Sequence, residues 1–138
     1  MKIKIYQDFS VELASHWKKF EEESHLTPFQ SYSWLLNWYK TVGSRLHSID
    51  ICIVCCFNRS SVELILPMGV NTLGSIRKLE WLGGIHSDYM MPMVGKKSEI
   101  FADFESIWLE KLNVLPPFDV LHLTKPVFYT HLTLPKKA

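Results

Sequence analysis

The densest run of chemically capable side chains is His86-Ser87-Asp88-Tyr89, inside Arg77–Val94, RKLEWLGGIHSDYMMPMV. An apolar strand pattern empties into Gly83-Gly84, four polar groups follow together, and an apolar segment then resumes. Polar groups presented at a strand end are a common way for a rigid scaffold to carry binding chemistry. Asp88 can orient or deprotonate a nucleophile, Tyr89 can donate a hydrogen bond, and an imidazole such as His86 titrates near neutrality. The plain alternative is an Asx-turn at Asp88 with Tyr89 packed on the sheet. His86, Ser87 and Asp88 are too close in sequence to act as a hydrolase-type relay. Gly83-Gly84 itself fits either a tight turn or a close approach of substrate to the backbone.

A second stretch, Thr27–Gly43, TPFQSYSWLLNWYKTVG, places Trp34 in the first turn of an expected helix. An aromatic ring beside uncapped helix N–H groups can line an acyl or sugar pocket. A helix docked through Trp34, Trp38 and Tyr39 is the simpler reading. The remaining histidines are scattered and suit solvated or core positions. Cys52, Cys55 and Cys56 lie within one apolar strand, with Cys55 on the opposite face from the other two. They lack both the turn and the fourth ligand that a zinc site needs, so buried, reduced thiols and no metal are expected. No GxxxxGK[ST], HExxH, GxSxG or GxGxxG is present.

The elements that must position these groups alternate along the chain. Lys2–Tyr6 alternates like a short strand. Ser10 is an N-cap for a helix to about Ser24, with Leu13, Ala14, Trp17 and Phe20 on one face. A connector with Pro28 leads to a second helix from Ser31 or Ser33 to Val42, and Gly43 fits its C′ position. Ser48–Phe57 and Val62–Val70 form a hairpin around Asn58-Arg59-Ser60-Ser61. Ile76–Leu82 is a third strand of this sheet, Met90–Val94 a short strand, Ser98–Leu112 a third helix and Val120–Leu123 a last strand. The order predicts an α/β (α+β) domain with a mixed, largely antiparallel sheet and packed helices.

The chain has 138 residues, 47% hydrophobic and 21% charged, a balance that builds one ordinary globular core. Fifteen Lys+Arg against fourteen Asp+Glu give +1, with no basic block, so no nucleic acid is expected as partner. The longest purely apolar run, Ile51–Phe57, is far short of the ~20 residues that span a bilayer. The N-terminus lacks the apolar core of a signal peptide, and the expected address is the cytoplasm.

TPFQSYSWLLNWYKTVG, LPMGV after a strand pair, and RKLEWLGGIHSDYMMPMV together resemble the N-terminal half of the CelD-like acyltransferases, a branch of the GNAT superfamily. Phe29, Ser31 and Trp34 match the family's F-x-S-x-x-W. Pro67 matches a proline near the end of the hairpin's second strand, and Gly83, Ser87, Asp88 and Tyr89 match a glycine turn followed by S-D-Y. The resemblance covers residues 5–126 and implies one GNAT-like unit of a two-unit fold related to FemABX peptidyltransferases. It implies acyl transfer from acetyl-CoA or another acyl-CoA to an amine or hydroxyl on a small molecule or glycan precursor, in cellulose, exopolysaccharide or envelope biosynthesis. Asp88 would contact the acceptor, with Trp34, Ser87 and Tyr89 shaping its pocket. The alternatives are an aminoacyl-tRNA donor, as in FemABX relatives, or a non-catalytic structural or carbohydrate-binding module.

The last residues, 127–138, resemble the conceptual translation of a transposon-end sequencing adapter, Tyr129–Pro135 matching in full. The expected organisation is therefore a partial GNAT-like unit over 1–126 and a non-native tail over 127–138. None of the three expected helices follows a Gly-rich turn leaving a core strand, so no pyrophosphate loop is legible. The chain alone is expected to bind acyl-CoA weakly.

Overall fold

A computed structural model of the chain describes residues 2–24, 26–46, 48–83, 93–95 and 115–122. The expected third helix, Ser98–Leu112, and the tail lie outside these residues. What is described is a mixed α+β fold, with helices packed on a largely antiparallel sheet.

Helix α1 (Val11–Glu22) starts where Ser10 holds an extended backbone and its Oγ accepts the Leu13 N–H at 3.1 Å. That bond satisfies one of the orphan donors of the first turn. Leu13, Trp17 and Phe20, spaced by four and three, form the buried stripe. The Trp17 indole N–H donates to the Gln30 carbonyl at 3.1 Å, tying the following connector to the helix. A 3₁₀ turn (Pro28–Gln30) closes as the Gln30 side-chain oxygen accepts from Thr27 N–H at 2.9 Å.

Helix α2 (Tyr32–Trp38) does not stop at Gly43. It widens into a π-helical turn over Tyr39–Gly43, and a single helical turn, α3 (Ser44–Leu46), follows. The physical reason is Trp38: a Cβ on Gly43 would lie 2.8 Å from the indole Cζ3. A π turn brings a residue and its i+5 neighbour alongside each other. Gly43 therefore serves as space for a ring rather than as a helix terminator.

The sheet runs β1-β2-β3-β4-β6, with β1 Lys2–Tyr6, β2 Ser48–Asn58, β3 Ser61–Leu73, β4 Ile76–Trp81 and β6 Val120–His122. β1 through β4 pair antiparallel, and β6 joins β4 in parallel. β5 (Met93–Val94) pairs antiparallel with β3. The β2–β3 hairpin is longer than its apolar runs suggest. Asn58 pairs with Ser61, leaving a two-residue turn in which Arg59 takes the left-handed region at φ 59°. The β3–β4 turn uses Gly74 at φ 63°, a conformation glycine adopts without steric penalty.

Strand parity divides the sheet into two faces. Lys4, Tyr6 and Phe57 share the face on which α1 lies: Lys4 Nζ meets Glu12 at 2.7 Å, and His16 stacks edge-on against Phe57 at 5.0 Å. Ile53 and Ile65 on that face, and Cys52, Cys56, Leu64 and Met68 on the other, have no exposed surface. The centre of the sheet is thus covered on both sides. Each such aliphatic side chain adds ~1.5–3 kcal/mol of burial.

Candidate functional site

β3 has an interrupted neighbour. β4 pairs with Met68–Leu73 and β5 with Leu64–Ile65, along the same side of β3 and in the same direction. The connection 82–92 therefore leaves β3 beside Met68 and returns beside Ile65. Those two positions are about 10 Å apart at strand rise. Pro67 stands at the interruption, paired with Ile53 of β2. A residue's N and C=O point to the same side of a strand, and the Pro67 carbonyl accepts Leu82 N–H at 2.9 Å. The N–H that proline lacks would thus have faced Leu82, just past the last β4 pair at Trp81, so the ladder ends here with one bond in place of two. This explains how a central strand accommodates a proline. On the return side, Gly95 N–H donates to the Glu63 carbonyl at 2.8 Å.

Two of the sequence-selected positions are thereby brought together: Pro67 receives the hydrogen bond of Leu82, whose neighbour Gly83 turns the chain at φ 98°. Gly84, His86, Ser87, Asp88 and Tyr89 lie outside the described residues. Phe29, Ser31 and Trp34 form a second group. Ser31 Oγ accepts the Trp34 N–H at 3.1 Å, and the Phe29 and Trp34 rings meet edge to face at 5.3 Å. Trp34 is half-buried against the core. One expectation needs correction here. The first turn of α2 is not uncapped, because Ser31 holds the Trp34 N–H and the Glu21 carboxylate holds that of Tyr32. The Tyr32 and Trp34 backbone donors are thus occupied, which leaves Trp34 its ring to contribute.

The thiols behave as the sequence suggests. Cys52, Cys55 and Cys56 are fully buried and reduced. Burial pushes the Cys52 and Cys55 thiols up to about 12, so they stay protonated and unreactive near neutrality. Tyr6 is likewise raised to about 12, by burial first and then by the Glu12 carboxylate. Among the described residues no group of His, Cys, Asp and Glu is arranged to hold a metal ion. No described helix is long and apolar enough to cross a membrane.

Sequence reasoning passed over a polar group on three adjacent strands. Asn71 of β3 is buried, and its amide nitrogen donates to Glu80 Oε1 of β4 at 3.1 Å. Lys78 Nζ meets Glu80 Oε2 at 3.3 Å, and the parallel register sets His122 of β6 beside Glu80. The available signal was the alternation that continues past Val70 through Asn71-Thr72-Leu73 and returns as Ile76-Arg77-Lys78-Leu79-Glu80. Beside this group, Arg77 and Asp119 pair at 3.1 Å and hold the Asp119 carboxyl below its usual range. Comparison with family models, curated proteins and solved structures finds no match to the chain.

Proposed function

We propose that the chain is the N-terminal part of a GNAT-superfamily acyltransferase acting in the cytoplasm, moving an acyl group from acyl-CoA to an amine or hydroxyl of a small molecule or glycan precursor. The supporting observation is the interrupted neighbour of β3. Pro67 and the Gly83 turn, far apart in the motif set, meet through the Leu82–Pro67 hydrogen bond at the mouth of the segment that carries Ser87, Asp88 and Tyr89. A mixed sheet whose last strand returns parallel to β4 is consistent with that reading.

In the reaction the acceptor nitrogen or oxygen attacks the thioester carbonyl, the C–S bond breaks, and coenzyme A leaves as its thiolate. Asp88 takes the acceptor's proton, which the thiolate finally receives. Trp34, Ser87 and Tyr89 orient the acceptor, and orientation alone lowers the barrier by several kcal/mol. The test is calorimetry and turnover with acetyl-CoA, on this chain and on the longer product read from genomic DNA past the Val127 codon. Binding no tighter than about millimolar is expected for the chain, with turnover by the longer product that Asp88→Asn abolishes. Full activity of Asp88→Asn would remove Asp88 from the reaction, and no acyl-CoA turnover by the longer product would sink the reading.

A further inference from the structure

We draw no further inference here: the strongest candidate, the apolar patch that Leu73, Ile76 and Val120 expose at the far corner of the sheet, is an unpartnered face, and nothing in the structure shows what covers it.

Discussion

The two halves of β3 solve different problems. Leu64 to Met68 pairs with Cys52–Cys56 on one side and, at Leu64 and Ile65, with β5 on the other, every residue buried, every side chain apolar. Beyond Gly69 the same strand carries Asn71 and Thr72 and ends on an exposed Leu73. Gly69 marks the change, since a Cβ there would lie 2.9 Å from both the Ile49 and the Leu82 side chains. In the first half, burial alone accounts for each residue type. In the second, Asn71 and Lys78 both meet the Glu80 carboxylate, and the Asn71 amide oxygen is left without a donor. Chemistry has room only where the core does not already dictate the residue.

If the first half is the stabilising one, its largest single support is Trp17. Trp17→Ala removes a fully buried ring and leaves the Gln30 carbonyl without its donor. A loss of ~3–5 kcal/mol is expected in urea unfolding. A loss below ~1.5 kcal/mol would mean that the helix face and the buried half of β3 are not one core.

The buried thiols give that half a pH signature. In the unfolded chain Cys52 and Cys55 release their protons near pH 9, whereas in the fold both hold them until about 12. Between those values the native state binds more protons than the unfolded state, so stability falls as pH rises. Their contribution is complete below about pH 9 and declines by roughly 1 kcal/mol per thiol for each pH unit above it. Tyr6, raised to about 12, bends the profile in the same direction. Urea unfolding at about pH 8 and about pH 10.5 should show the drop, and the double variant Cys52→Ala, Cys55→Ala should flatten it. A flat profile in the parent chain would mean that the thiols reach water.

Gly43→Ala tests how tightly the helical layer is fitted over that core. The new methyl enters the Trp38 ring, and ~1–3 kcal/mol of destabilisation is expected. Pairing the change with Trp38→Leu should return part of the loss. An additive double variant would show that the π turn has some other origin.

The same contrast governs what was legible in the sequence. Helix α1 was fully readable, because Ser10 caps it and Leu13, Trp17 and Phe20 repeat at helical spacing. So was the alternation of β1. The hairpin was readable in kind but not in length, because its tight turn relies on a left-handed Arg59, a residue that carries no turn signal. Gly43 looked like a helix stop because a glycine's role as space for an indole depends on a ring rotamer, not on local propensity. The two-part pairing of β3 was hidden because β5 has only two residues and its register is set by tertiary contact. The Asn71–Glu80 group was hidden for a related reason: the two are nine residues apart, and only the β3–β4 register puts them diagonally across from each other. Of the residues that the resemblance assigns to an acceptor site, Trp34 sits where its helix's own cap puts it, while Asp88 owes nothing to local periodicity.

The smallest effect belongs to the exposed corner, and it separates the halves most cleanly. β6 is three residues long and is held to β4 by a short parallel ladder and by Arg77 with Asp119. Asp119 does more than pair charges: its Oδ2 accepts the Arg77 backbone N–H at 2.8 Å, and its own N–H donates to the Arg77 carbonyl at 2.7 Å. Asp119→Ala keeps the second bond and loses the first, so it loosens one strand without opening the core. Its carboxyl is held below the usual range by Arg77, so the contact persists above the unfolded pKa and fades as pH falls through the lower folded value. Amide exchange at Leu121 and His122 should quicken in Asp119→Ala, and in the parent at acid pH, while Ile53, Val54 and Ile65 keep their protection. Equal acceleration in β2 and β3 would show that the corner and the buried half unfold as one unit, and the division along β3 would then be lost.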